Sequence, residues 1–268
     1  MTTPPSHSDS LPRPRQALNK VPEITVYFWI IKVLCTTVGE TAADYLIDNL
    51  GLGLSNTTYV MAALLLVLIV GQFAVKKYVP PLYWSVVVLI SVVGTLITDN
   101  LTDHLGVALE TTTTLFSVVL LLTFAVWYAV ERTLSIHTIR TARRETFYWA
   151  AILFTFALGT AAGDLAAERL ELGYRVSVLL FAALIALVAF AHYGFKVNAV
   201  LTFWVAYILT RPLGASLGDY LSQAREDGGL ALGTVGTSAL FLAAILVLVV
   251  YLTVSRRDEE KPSDAVEA

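Results

Sequence analysis

Four aspartates recur in this chain at matching places, Asp44, Asp99, Asp164 and Asp219. Four residues after them stand Asp48, Asp103, Glu168 and Gln223. Residues four apart share a face of a helix, so each pair offers polar oxygens from one side of one element. Oxygen-only ligand sets suit hard or borderline cations such as Mg²⁺, Ca²⁺ or Mn²⁺. With 1 cysteine, 2 methionines and 4 histidines, the chain is poor in the ligands copper or zinc would need. The metal-ligand candidates are therefore Asp44, Asp99, Asp164, Asp219, Glu40, Asp48, Asp103 and Glu168. A structural reading stands beside this one, in which the carboxylates stay hydrated or bond neighbouring helix ends.

Two further charges break the pattern. Glu40 corresponds to Thr95, Thr160 and Ala215 in the other copies, and Arg211 to Thr36, Ser91 and Phe156. A charge inside a bilayer is costly enough that intramembrane ionisable residues face protein or water and find partners. Glu40 and Arg211 are thus expected to pair if the first and last copies are neighbours, either as a lock or as a switch linked to protons or substrate. Lys32, one helical face behind Thr36 and Glu40, is expected to snorkel to the nearer interface.

The aspartates belong to a larger repeating frame. Trp29, Trp84, Trp149 and Trp204 are each followed by Gly39, Gly94, Gly159 and Gly214, and then by the aspartate. The segments read WIIKVLCTTVGETAADYLID, WSVVVLISVVGTLITDNLTD, WAAILFTFALGTAAGDLAAE and WVAYILTRPLGASLGDYLSQ. At about 1.5 Å per residue, tryptophan and aspartate lie roughly 22 Å apart along a helix. That spacing sets the tryptophans as anchors at one membrane interface and the aspartates about one turn inside the other. The glycines fall near the midplane as packing sites, with a hinge as the alternative, above all beside Pro212. The string TTVGE resembles a potassium filter only by coincidence, because the other copies read SVVGT, FALGT and RPLGA.

These elements must be membrane helices. The composition is 56% hydrophobic and 15% charged with a mean hydropathy of +0.70, and a formal charge of −3 excludes a nucleic-acid reading. Apolar runs of about 20 residues, the length that spans a bilayer, fall roughly at 25–48, 57–77, 82–103, 112–132, 147–168, 176–195, 200–221 and 234–254. The fold class is accordingly an all-α membrane protein of four parallel two-helix repeats, a pseudo-fourfold or pseudo-twofold bundle. Lys and Arg concentrate at one set of helix ends, including Lys20, Lys76, Lys77, Arg132, Arg140, Arg143, Arg144, Lys196, Arg256 and Arg257, against Arg169, Arg175 and Arg225 at the other. The positive-inside bias predicts that both termini are cytoplasmic. The expected organisation is a disordered tail over 1–24, repeats over 25–80, 81–145, 146–197 and 198–254, and a second disordered tail over 255–268. No signal peptide is evident, and the lone Cys35 allows no disulfide framework.

The four W-x9-G-x4-D segments, covering about Val21 to Val254, resemble a bacterial membrane-protein family of unknown function. That family is defined by four tandem repeats, each of two transmembrane helices and a tryptophan. The resemblance implies this architecture and the bacterial inner membrane as location, and it brings no activity. From the residues themselves, the expected function is a transporter or channel for a small cation, with a divalent metal such as Mn²⁺ favoured. The alternative is a membrane scaffold whose polar stripes hold helices together, with the basic 132–144 loop as a partner surface. An intramembrane enzyme has little support, since no nucleophile motif or phosphate loop occurs. No cofactor is expected, and the expected partners are the lipid bilayer and the cation.

Overall fold

The structure, a computed structural model, describes residues 19–259. Eight helices are long and apolar enough to cross a membrane: α1 Val26–Asp44, α2 Leu54–Ala74, α3 Pro80–Asp99, α4 Leu109–Glu131, α5 Ala142–Asp164, α6 Gly173–Phe195, α7 Ala199–Ser222 and α8 Gly233–Ser255. The described residues contain no strand. Local chemistry sets the helix ends. Thr25 accepts from Phe28 N, Thr141 from Arg144 N, and Asn198 from Val200 N and Leu201 N, satisfying first-turn amides. Pro80 and Pro81 open α3, where no amide is needed.

The helices divide into two classes by burial. The most apolar windows of α1, α3, α5 and α7 are 56–67% buried, whereas those of α2, α4, α6 and α8 are 11–22% buried. The odd-numbered helices therefore form the core, and the even-numbered ones form a shell with most of its surface left for lipid. Within the core, α1 packs on α3, α3 on α5, α5 on α7, and α7 back on α1, a closed ring in chain order. Each shell helix packs mainly on the core helix of the following repeat: α2 on α3, α4 on α5, α6 on α7, and α8 on α1. The two helices that form one unit of sequence thus diverge in space, and the last helix closes the ring on the first.

The four glycines make this ring possible. A Cβ on Gly39 would stand 1.8 Å from Ser91 Oγ, on Gly94 2.6 Å from Phe156 Cβ, on Gly159 2.2 Å from Arg211 Cγ, and on Gly214 1.7 Å from Thr36 Oγ1. In each copy the glycine receives the side chain three residues before the glycine of the adjacent core helix. These are close-packing positions. Helix α7 runs unbroken through Pro212, so the hinge reading of Gly214 finds no local unwinding.

The tryptophans sit deeper than an interfacial anchor would. Trp84, Trp149 and Trp204 are buried, and Trp29 is half-buried. They join Phe28, Tyr83, Tyr148, Phe203 and Tyr207 in a continuous aromatic layer across the core ring, with ring centroids 5.1–5.4 Å apart at Tyr83–Trp84, Tyr83–Trp149 and Tyr148–Trp149. The interface expectation fails for those three because the core helices meet one another there, and the shell helices take the lipid-facing positions instead.

Parts of both expected tails are also packed. Residues 1–18 and 260–268 lie outside the described residues, but Asn19, Lys20, Val21 and Asp258 are buried. Lys20 Nζ donates to Glu145 Oε2 at 2.6 Å and to the Phe73 carbonyl at 3.1 Å. Lys20 N reaches the Ile139 carbonyl at 3.0 Å, and Glu23 N reaches the Asp258 carbonyl at 2.9 Å. Both terminal segments and the loop before α5 therefore meet across the tryptophan end of the bundle. Composition reads 1–24 and 255–268 as disordered tails and carries no sign of this packing, because the partners lie far away in sequence.

Candidate cation-binding cavity

All eight candidate carboxylates, seven from the repeat together with Glu40, line one cavity of about 400 Å³. Glu40, Asp44 and Asp48 come from α1 and its extension, Asp99 and Asp103 from α3 and its extension, Asp164 and Glu168 from α5 and its extension, and Asp219 from α7; Thr102, Tyr174 and Gln223 complete the polar lining. Depth is graded along the cavity. Asp48, Asp103 and Glu168 are exposed at its rim, Asp44, Asp99 and Asp164 are half-buried, and Glu40 and Asp219 are buried.

A backbone feature produces the rim. Immediately after Asp44, Asp99 and Asp164 the helix widens into a π-helical turn, Tyr45–Asn49, Asn100–His104 and Leu165–Arg169. Such turns are rare and concentrate at functional sites. Each carries the second acid of its repeat. The fourth core helix ends at Ser222 without one, and its position is Gln223 rather than an acid. Four-residue spacing pointed to a shared face; it carried no signal for the widened turn.

The carboxylates surround the cavity without focusing on one point. Among the described residues, no three His, Cys, Asp or Glu side chains stand close enough together to hold a metal ion directly. A cation entering this space would keep part of its water and meet one or two carboxylates at a time, the usual manner of Mg²⁺-like ions.

Beneath the carboxylates lies a charged layer. Arg211, fully buried, extends from α7 across the ring. Its guanidinium donates to Glu40 Oε2 at 3.0 Å, to the Thr36 carbonyl at 3.3 Å and to Thr160 Oγ1 at 2.7 Å, and also to Thr95 Oγ1. Glu40, Thr95 and Thr160 are the same repeat position on α1, α3 and α5, so one side chain ties one layer of all four core helices. Glu40 belongs to both levels, because it lines the cavity and holds the arginine.

Lys32 lies behind this layer and does not snorkel. It is 0% exposed, its Nζ stands 3.8 Å from the Phe156 ring centroid and 4.2 Å from that of Tyr207, and among the described residues it meets no hydrogen-bonding group. The core helices enclose it on all sides, so its stem has no route to an interface. Next comes the hydrogen-bonded pair of Tyr83 and Tyr148 hydroxyls, and then the packed terminal segments. There Tyr78 donates to Asp258 Oδ2 at 2.6 Å and accepts from Trp84 Nε1 at 3.1 Å. Burial raises Asp258 above the usual carboxylate range against the opposing hydrogen bond from Tyr78, and burial together with Asp258 raises Tyr78.

Sequence reasoning passed over two groups. Thr57, Thr112, Ser177 and Thr237 are buried hydroxyls, one on each shell helix, that bond no other protein group. The first three stand at equal distance from the tryptophan of their repeat, so aligning the shell helices as carefully as the core helices would have found them. The Lys20–Glu145 pair, with Gln72 Nε2 on Glu145 Oε1 at 3.3 Å, joins residues of three segments and had no sequence signal.

Comparison with known families agrees with the repeat. Residues 27–78, 82–133, 147–198 and 202–258 each match the profile described as Repeat of Unknown Function (DUF347). No curated protein and no solved structure matches the chain.

Proposed function

We propose that this chain, which belongs to the DUF347 repeat family, is a multi-pass membrane transport protein for a small cation. A hydrated divalent ion such as Mn²⁺ is the favoured cargo. The observation that carries this reading is the convergence of eight carboxylates, seven of them repeated and the eighth Glu40, from four core helices on one cavity. Carboxylates gathered from separate helices in a low-dielectric setting are balanced by a cation or by protons, and a cation carrier makes use of either.

A carrier fits better than an open pore. Arg211 places a fixed cationic side chain behind the cavity, inside the ring, with the Lys32 amine buried beyond it, and a freely conducted cation would have to pass both. In this reading the basic loops lie in the cytoplasm of a bacterial cell and the acidic cavity faces outward across the inner membrane. Outward-facing and inward-facing states would then alternate through the Glu40–Arg211 layer and the packed terminal segments.

Elemental analysis of cells lacking or overproducing the protein, across graded Mn²⁺, Mg²⁺, Ca²⁺ and Zn²⁺, tests the proposal. A selective change in one metal is expected, abolished by Asp44→Asn, Asp99→Asn, Asp164→Asn or Asp219→Asn at unchanged protein level. Unaltered content of all four metals in well-expressing cells would refute it. A scaffold is the second reading, favoured by the absence among the described residues of a direct metal-ligand set. It predicts that the same substitutions lower the amount of folded protein instead.

A further inference from the structure

A groove of about 710 Å³, larger than the acidic cavity, lies on the shell side and runs between α4 and α7 over the seam of α5 and α7. It exists because α4 packs on α5 and α6 packs on α7, so neither shell helix covers the seam. Leu121, Phe124, Leu158, Leu201 and Ile208 make its body apolar.

One mouth of the groove differs in chemistry from the body. It is formed by Arg132 at the end of α4, Tyr128 one turn earlier, and Asn198 at the start of α7. Arg132 is exposed, and among the described residues no carboxylate pairs with it. The neighbouring acid, Glu131, is taken by Arg143 and by Arg144 at 2.7 Å, and its side chain is only 4% exposed. The Asn198 carbonyl oxygen already accepts from Val200 N at 3.0 Å and Leu201 N at 3.1 Å, which leaves its NH₂ to donate. Thr133 Oγ1 likewise accepts from Ser135 N at 3.1 Å. The mouth therefore offers a guanidinium, an amide NH₂ and a phenol as donors, with its nearby acceptors occupied. Guanidinium groups match phosphate geometry.

We propose that this groove is a specific site for an anionic phospholipid, with an acyl chain along the apolar body and the phosphate on Arg132, Tyr128 and Asn198. A zwitterionic lipid fits the body equally well, but its ammonium brings a second positive charge beside Arg132 at the mouth. The groove also touches the core: Trp204 lines it, donates Nε1 to the Leu134 carbonyl at 2.9 Å, and packs 5.7 Å from Trp127. An occupant would thus brace the aromatic layer at the α5–α7 seam.

Trp204 supplies the readout. The whole protein is placed in phosphatidylcholine vesicles, and tryptophan emission is titrated with phosphatidylglycerol or phosphatidylcholine brominated on its acyl chains. Brominated phosphatidylglycerol is expected to quench at about fivefold lower mole fraction than brominated phosphatidylcholine, the effect of one basic residue near an anionic lipid. Arg132→Gln, at an exposed position, should erase that preference while leaving the unfolding midpoint unchanged, and Arg132→Lys should retain most of it. Equal quenching by both lipids, or a preference that survives Arg132→Gln, would overturn the proposal. So would quenching that disappears as protein density in the vesicle rises, which marks a second copy of the chain in the groove. If Arg132→Gln proves unstable, salt dependence of the wild-type preference decides the matter, since a phosphate–guanidinium contact weakens with ionic strength.

Discussion

Replacing Glu40 by Gln should cost more stability than removing Arg211 itself, although the two form one ion pair. Arg211 is 0% exposed, and among the described residues Glu40 is the one carboxylate that ion-pairs with it. In Glu40→Gln the guanidinium remains at the core of the ring with neutral acceptors alone, the Thr36 carbonyl and the Thr95 and Thr160 hydroxyls. Those bonds exist before and after the change, so they offset nothing. Breaking a buried pair from one side costs about 3–5 kcal/mol. Glutamine keeps one acceptor oxygen, which points to the lower end, about 3 kcal/mol, or roughly a hundredfold in the folding equilibrium. Arg211→Met leaves the opposite orphan. The Glu40 side chain is 9% exposed and lines the acidic cavity, so it reaches water there, and the expected cost falls to about 1–2 kcal/mol. The double variant should regain most of what Glu40→Gln loses, since burying neither charge is often neutral or better. Denaturant unfolding of the four proteins in one detergent measures the full cycle. Equal costs for the two single variants, or a double variant no more stable than Glu40→Gln, would refute the idea that this pair is a buried layer with one side open to the cavity.

Three shorter predictions follow from the same geometry. Gly94→Ala places a methyl 2.6 Å from Phe156 Cβ and 3.2 Å from the Ala157 amide nitrogen, so it should destabilise by about 1–3 kcal/mol or more; Gly236→Ala meets nothing within 4 Å and should stabilise α8 by up to about 1 kcal/mol, both read from unfolding midpoints. Lys32→Met removes a buried amine that no carboxylate or carbonyl among the described residues partners, so stability should rise by about 1 kcal/mol or more, and a fall would show that the Phe156 and Tyr207 rings compensate its burial fully. The third concerns pH: burial raises Asp258 above the usual carboxylate range, so the docked state binds protons more tightly than the free segment. Docking of residues 256–259 should therefore be firmest at acidic pH and weaken as pH rises past that range. Tryptic cleavage at Arg256 and Arg257, normalised to a free peptide of the same sequence, should accelerate accordingly, and Asp258→Asn should flatten the dependence.

How much was legible beforehand follows from which signals are periodic. Tryptophan, glycine and aspartate recur with one spacing, so the repeat, the eight spans and the set of carboxylates could be read directly, and those carboxylates do line a single cavity. Contacts that close the ring could not. Nothing in the α2 sequence says that it leaves α1 for α3, because its composition is almost uniformly apolar and offers no face to match. The tryptophans were misplaced for a related reason: an amphipathic ring at a helix end suits an interface, and only knowledge that four such helices converge turns that end into an aromatic core. Lys32 fails the same way, since snorkelling presumes a lipid-facing helix.

The departures from the repeat deserve more weight than its regularities. Three copies place small or apolar side chains against the neighbouring glycine, Thr36, Ser91 and Phe156, and the fourth places Arg211. Three copies place Thr, Thr or Ala where the first has Glu40. A ring of four similar helices has no need of either charge for packing, as the unmodified copies demonstrate. The two exceptions meet each other, 3.0 Å apart, at the floor of the acidic cavity. A chain built only to hold its helices together gains nothing from breaking its repeat twice at one point, whereas a carrier needs one layer that can hold a fixed cation against the cavity and release it when a proton or cargo ion takes its place. Glu40 is thus the residue on which the structural and transport readings part. If it is only a lock, the Glu40→Gln, Arg211→Met double variant should restore stability and leave metal content as in the wild type. If it is the coupling residue, that variant should fold well and still abolish the metal phenotype.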